Sequence, residues 1–330
     1  MSNVTERSIF EQFGFWRTAP HQIGRADAAE THVVVGCGTS YNIAMSLASG
    51  LNLAGVPAIA VPGGEWLRRP DAFLPRGTHA QVLALSRSGE TTETVQAAQA
   101  SRRAGHAVTA ITCAPAGSLA AAADRVLFAP THAEEGIVMT ASASLMLLLG
   151  LRYAGFIVEA AVTASAEALL AAADAALPAP LAGRTHFVLL GSGPLYGIAQ
   201  EGALKLQEMS LSFAHAYHAL EFRHGPMSLV DERTLVVLLY HPEAVAEEAV
   251  LAGELSAKGA RVIGIGGPGD LSWELAGEAP LRGLAALPAL QLLGERVAQR
   301  NGIDSAAPRH LSRVVRLALP KNKTERDSEK

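Results

Sequence analysis

The chain carries one structural plan twice. Thr31-His-Val-Val-Val-Gly36-Cys-Gly38 is a short β-branched run closing on glycines, and a helical pattern from Tyr41 to Leu53 follows it. About 155 positions later, Thr185-His-Phe-Val-Leu-Leu-Gly191-Ser-Gly193 repeats the run, followed by a helical pattern from Ile198 to Met209. At nearly the same offset Val82-Leu-Ala-Leu85 is answered by Leu235-Val-Val-Leu-Leu239, and the helix ending at Gly105 by one ending at Gly259. A third strand pattern, Ala107-Val-Thr-Ala-Ile111, is answered by Arg261-Val-Ile-Gly-Ile265. Strands alternating with helices of this length read as βαβ units, whose parallel strands need right-handed crossovers.

The duplication predicts an α/β chain of two tandem doubly wound parallel-sheet domains, residues 20–160 and 184–316. An N-terminal segment, 1–19, precedes them. The alanine-rich stretch 161–183, ending Leu177-Pro-Ala-Pro180-Leu-Ala-Gly183, reads as a connector. Residues 317–330 mix both charge signs and read as a flexible, solvated tail. Ligands in such folds sit outside the carboxyl ends of the strands. The loops after Val35, Leu85 and Leu190 are therefore the places to look for chemistry.

Composition narrows the class. Of 330 residues 49% are apolar but only 5% aromatic, as expected of aliphatic helices packed on parallel sheets, and the length suffices for two cores. A net charge of −4, with no long basic run before the last ten residues, argues against nucleic acid or an anionic membrane as partner. Cys37 and Cys113 alone make neither a disulfide framework nor a metal-ligand spacing, and no cofactor or metal is expected. The first residues lack a charged-then-apolar signal pattern, and apolar runs such as 145–151 are too short to span a bilayer. The expected location is the cytoplasm.

After the second strand of the first copy comes Ser86-Arg87-Ser88-Gly89-Glu90-Thr91, and after its first strand Gly36-Cys-Gly38-Thr39-Ser40. Hydroxyls and backbone N–H groups at two adjacent helix starts suit an anion, although each loop alone reads equally as a set of N-caps. The second copy has His241-Pro-Glu-Ala-Val where the first has its serines. It holds instead Glu201-Gly-Ala-Leu-Lys205-Leu-Gln-Glu208, in which a spacing of three puts Lys205 and Glu208 on one helix face. Such a pair on an arbitrary helix is usually a solvated ion pair. Here it is followed by His215, Tyr217, His218, Glu221 and His224-Gly225-Pro226, a density of polar groups unusual outside a site, with no zinc-ligand spacing.

The two loops of the first copy resemble the phosphate-binding signatures of the sugar-isomerase (SIS) domain family, which has a flavodoxin-like fold. The resemblance implies Ser40, Ser86, Ser88 and Thr91 as phosphate ligands, with Gly38 and Thr39 supplying backbone. Arg87 stands where many relatives have glutamine and would add charge. Glu134-Glu135-Gly136-Ile-Val138-Met-Thr140 resembles the loop that closes over the sugar, which puts Glu135 and Val138 beside the substrate. Relatives usually continue with Lys or Arg, and Ala141 stands here.

The stretch from Gly191 to Asp231 resembles the isomerase part of the glutamine–fructose-6-phosphate aminotransferases and the SIS-type amino-sugar-phosphate deaminases. Overall resemblance runs from about Thr31 to Val315. It implies that Glu208 moves a proton between C1 and C2 of the open-chain sugar and that Lys205 steadies oxyanion charge. His224 would open the ring, reaching in from the neighbouring subunit, so a homodimer with composite sites is implied. Asp304–Arg313 resembles the tail that folds over the site. The aminotransferases have an imine-forming lysine at the position of Arg313, whose guanidinium is no nucleophile.

A glutaminase domain does not fit in the thirty or so residues before the first strand. The expected activity is deamination or isomerisation of an amino-sugar phosphate of the glucosamine-6-phosphate or fructose-6-phosphate type. The alternatives are a ketose–aldose isomerase of a non-amino sugar phosphate and a non-catalytic sugar-phosphate sensor. The retention of Glu208 and His224 speaks against the sensor.

Overall fold

The computed structural model describes residues 3–317, so most of the expected tail, 318–330, lies outside the described residues. The first sheet contains β1 (His32–Gly36), β2 (Ala58–Pro62), β3 (Gln81–Ser86), β4 (Ala107–Thr112) and β5 (Arg125–Phe128), all parallel, in the order β2-β1-β3-β4-β5. The second contains β6 (His186–Gly191), β7 (Phe213–Tyr217), β8 (Thr234–Leu239), β9 (Arg261–Ile265) and β10 (Leu271–Trp273), in the order β7-β6-β8-β9-β10. The two orders are the same topology, a doubly wound sheet whose switch point lies between its first and third strands. The central strands β1 and β8 are buried along their whole length, which is why they read as unbroken apolar runs and not as alternations.

The helices in chain order are α1 (Val4–Thr18), α2 (Thr39–Leu53), α3 (Gly63–Arg68), α4 (Thr92–Arg103), α5 (Ser118–Ala122), α6 (Ala141–Ala154), α7 (Ala160–Ala176), α8 (Pro178–Leu181), α9 (Pro194–Ser210), α10 (Val245–Ala257) and α11 (Ala279–Arg300). The duplication extends to backbone detail. Gly38, before α2, and Gly193, before α9, both have φ 55°, with ψ −126° and −128°. This conformation is open to glycine and strained for other residues.

The two copies meet where α2 packs on α9. The crossing is tight at Gly197, where a Cβ would lie 2.5 Å from the Asn42 carbonyl oxygen, so only glycine lets the helices approach. This contact brings the first-strand loop of one copy against the Lys205–Glu208 helix of the other.

Two segments outside the duplicated plan are helical. Within the connecting stretch 161–183, α7 fills most of the residues and buries Thr163, Ala166, Leu169, Leu170 and Ala173, packing against α11. Alanine is the strongest helix former, and the same residues that look featureless as a linker make a helix with one apolar face. In the N-terminal segment Val4–Thr18 form α1, capped by Asn3, whose side chain accepts from the Glu6 N–H at 2.9 Å. Ile9, Phe13 and Trp16 face inward; Trp16 Nε1 donates to Ser144 Oγ at 2.8 Å in α6, and Gln12 Nε2 to Gln291 Oε1 at 3.0 Å in α11. The N-terminal helix thus clamps both copies.

Candidate functional site

At the carboxyl ends of β1 and β3 the structure has a cleft of about 180 Å³, lined by Cys37, Gly38, Thr39, Ser40, Arg87, Ser88, Thr91, Glu208 and residues of two covering segments. The covering segments are the loop before α6, which contributes Ile137 and Met139, and the chain after α11, which contributes Leu311, Ser312, Arg313 and Val315. The cleft therefore joins the first copy's hydroxyl loops to the second copy's Glu208.

One end of the cleft is built on α9. Lys205 is fully buried and Glu208 has 21% of its side chain exposed, so the carboxylate is the group that reaches the cleft. Lys205 Nζ donates to Glu208 Oε2 at 2.6 Å and to Thr39 Oγ1 at 3.1 Å, and lies 3.2 Å from Glu201 Oε1. Burial alone would push the Lys205 ammonium down, but Glu201 and Glu208 beside it outweigh this and hold its pKa above the ordinary value. Glu201, one turn earlier, accepts from Thr39 Oγ1 at 2.9 Å and Asn42 Nδ2 at 3.0 Å, and burial pushes its carboxyl up. A buried charge survives only with such partners. The solvated surface pair is thus ruled out: this is an interior network that fixes Glu208 from behind and couples α9 to the loop before α2.

The other end is built on the loops before α2 and α4. Ser40, Ser88 and Thr91 line the cleft. Ser86 does not; as the last residue of β3 it is buried, and its hydroxyl accepts from the Gly89 N–H at 3.2 Å, shaping the loop from beneath. Ser88 Oγ accepts from the Glu90 N–H at 3.2 Å.

The closing loop differs from its expected role at two positions. Glu135 does not face the cleft: its Oε1 accepts from the Thr140 N–H at 2.7 Å and the Ser142 N–H at 3.0 Å, satisfying the open donors at the start of α6. Val138 is buried in the core, while its neighbours Ile137 and Met139 line the cleft. The order of side chains along the loop is set by α6, which needs an acceptor at its N-terminus, and local pattern does not reveal it. Arg87 lines the cleft, but its guanidinium donates to the carbonyls of Gly136, Ile137 and Arg313, at 2.9, 3.1 and 3.1 Å.

His224 lies on a short turn after β7, exposed, and is not among the residues lining the cleft of its own chain. The other histidines of the cluster part ways: His218 stacks on Tyr196 with ring centroids 3.8 Å apart, and His215 lies 6.1 Å from His186. Among the described residues no group of three or more His, Cys, Asp or Glu is placed to hold a metal ion, and no helix is long and apolar enough to cross a membrane. The sequence reading missed Glu201 and Asn42. The four-residue spacing of Glu201 and Lys205 was the available signal, but burial is what separates a network from a surface pair.

The family profile of the SIS domain matches residues 27–152 and 181–273, one match for each sheet. The chain belongs to the SIS domain family. A glutamine–fructose-6-phosphate aminotransferase of Pyrobaculum aerophilum is 30% identical over 313 residues, covering 87% of this chain and 52% of that protein. Its counterpart in Sulfurisphaera tokodaii is 27% identical over 303 residues, covering 87% and 50%. The chain thus spans about half the length of these curated relatives. Among solved structures, the glucosamine-6-phosphate deaminase of Thermotoga maritima superposes with a TM-score of 0.83 at 29% identity, covering 95% of this chain and 99% of that one. The tagatose-6-phosphate ketose/aldose isomerase of Escherichia coli gives 0.82 at 25% identity, with 97% of both chains covered. The likeness therefore runs along nearly the whole of these two solved chains, and along about half of the longer aminotransferases.

Proposed function

We propose that this SIS protein is an enzyme of amino-sugar phosphates, deaminating or isomerising its substrate by proton transfer between C1 and C2. The observation that carries the reading is the position of Glu208: a part-exposed carboxylate, held from behind by buried Lys205, facing the hydroxyl loops across one cleft. In the proposed pose the phosphate sits against Ser40, Ser88, Thr91 and the backbone of Gly38 and Thr39. The sugar then extends toward Glu208, which takes the proton from one carbon and returns it to the next. Lys205, buried behind Glu208, acts through it by holding the carboxylate in place, and Arg313, from the covering tail, contributes a cation near the bound anion.

Likeness along nearly the whole chain to the solved chain of a glucosamine-6-phosphate deaminase favours nitrogen chemistry. The equally complete likeness to a ketose/aldose isomerase supports a second reading, in which the same proton transfer acts on a sugar with no amino group. Ring opening by His224 from a partner subunit of a homodimer belongs to both, because an exposed His224 outside its own cleft has its use in a neighbour's.

The test is a panel of hexosamine 6-phosphates and hexose 6-phosphates in deuterium oxide, read for ammonia and for label at C1 or C2. Ammonia with a ketose phosphate supports the deaminase. Label without ammonia, on amino sugars or on neutral sugars, separates the isomerase readings. Absence of label and ammonia across the panel sinks the enzyme.

A further inference from the structure

Arg87 is nearly buried, with 6% of its side chain exposed, and its three hydrogen bonds go to backbone carbonyls. Two of these carbonyls, of Gly136 and Ile137, belong to the loop before α6, and the third, of Arg313, to the tail after α11. These segments are remote in sequence and come from different copies. Together they supply six of the fourteen residues lining the cleft. The clasp is anchored on its own side as well: the Arg87 carbonyl accepts from the Cys113 N–H at 3.2 Å and Thr112 Oγ1 at 3.3 Å, which fixes it to the end of β4. Glu135 Oε2 lies 3.8 Å from Nη1 and is the carboxylate that compensates the buried charge, while its other oxygen holds the start of α6.

We infer that Arg87 is a positioning residue, the single clasp that holds both covers of the cleft shut. A planar guanidinium spreads five donors over a rigid fork, so its two terminal nitrogens reach three carbonyls from two segments at once; an ammonium presents its three donors from a single nitrogen, and an amide has only two. The tail has further grips at its outer edge, where the Thr92 N–H donates to the Val315 carbonyl at 3.3 Å, Thr92 Oγ1 accepts from the Leu317 N–H at 3.1 Å, and Arg316 Nη2 lies 3.7 Å from Glu90 Oε2. Without Arg87 the tail would stay tethered at its outer edge but lift over the cleft, and the loop before α6 would lose its link to the tail. With both covers held, the cleft excludes water around the reacting carbons; with Arg87 gone, substrate leaves faster.

The inference rests on the phosphosugar reading for its consequence and on geometry alone for the clasp, and the two are tested separately. Hydrogen exchange is measured first on the ligand-free protein, comparing wild type with Arg87→Lys and Arg87→Gln. Loss of one charge-assisted hydrogen bond corresponds to about tenfold in an equilibrium. Amide exchange in 136–139 and 311–315 should therefore rise by about tenfold or more in both variants, with the β-strands unchanged. Glucosamine 6-phosphate and inorganic phosphate are then titrated as probes. Sugar-phosphate affinity should fall about tenfold or more, while inorganic phosphate, held mainly by the hydroxyl loops at Ser40, Ser88 and Thr91, binds within about threefold of wild type. If exchange in both covers is unchanged in Arg87→Lys, no clasp exists. If inorganic phosphate binding collapses in that variant, Arg87 is a phosphate ligand and the inference is overturned. Failure of the wild type to bind either probe would refute the phosphosugar reading and leave the exchange result standing on its own.

Discussion

The two copies run the same chain path and treat the space between their first and third strand loops differently. In the first, the residue after β1 and the start of α4 touch lightly, Cys37 Sγ lying 3.5 Å from Thr94 Oγ1, and the loops go on to line the cleft. At the corresponding places in the second copy, Ser192 Oγ donates to Glu248 Oε1 at 2.9 Å and the His241 N–H to Glu248 Oε2 at 2.8 Å. A buried carboxylate from α10 ties the two loops together, so this copy carries its own anion. Two loops rich in donors need negative charge between them. One copy meets that need from within and contributes a rigid helix with Glu208. The other keeps its donors facing a cleft. On the proposed reading, duplication has separated scaffold from recognition, while the topology of the two sheets is the same.

The largest expected effect is at Glu208. Glu208→Gln keeps the shape but accepts no proton, and removing a general base typically costs about 10²–10⁴-fold in rate. Turnover should fall by that amount with sugar-phosphate affinity little changed, in steady-state kinetics paired with calorimetric titration. Normal turnover would return Glu208 to a structural pair and erase the division of labour between the copies.

Next is the exposed His224. Mixing inactive Glu208→Gln protein with inactive His224→Ala protein should restore up to about a quarter of wild-type activity, since a statistical mixture of dimers holds that share of intact composite sites. No recovery despite demonstrated subunit exchange would confine each site to one chain.

A smaller loss tests the first copy directly. Ser88→Ala and Thr91→Ala should each weaken binding of inorganic phosphate by about 1.5–3 kcal/mol, the range for a hydrogen bond to a charged group. Ser192→Ala in the second copy should leave phosphate binding untouched. Equal effects at the two places would abolish the contrast.

The smallest effect concerns Glu248. Burial pushes its carboxyl above the ordinary value, with the His241 N–H and Ser192 hydroxyl opposing. The folded protein then holds this proton to higher pH than the unfolded chain does, so the stability contribution is greatest below the unfolded pKa. It declines as pH rises through the folded pKa. The difference in thermal stability between wild type and Glu248→Gln should change across that interval and be flat below it, with a shift of about 2–4 °C. A difference curve independent of pH would mean that Glu248 titrates as it does in the unfolded chain.

Much of the fold was legible because the duplication states it twice: two β-branched runs ending in glycines, at one offset, leave few topologies. The site was partly legible for the same reason. Ser40, Ser88, Thr91 and Glu208 announce themselves at strand ends and on a helix face. Elements without a partner copy were harder to read. The helix α1 has its signal in Ile9, Phe13 and Trp16, and α7 in its alanines, but neither is answered elsewhere in the chain.

By itself the sequence determined the secondary-structure alternation, the doubling and the chemical character of the loops, because these depend on local propensity and on residues near in the chain. Tertiary structure alone decided which polar groups face the cleft. Glu135 and Ser86 are turned to open backbone donors at the start of α6 and within the β3–α4 loop, whereas Lys205 and Glu201 are buried because α2 crosses α9 at Gly197. Arg87 meets carbonyls 49 to 226 positions away. Which partner a buried charge or donor finds is set by what the fold brings beside it, and no spacing along the chain encodes that.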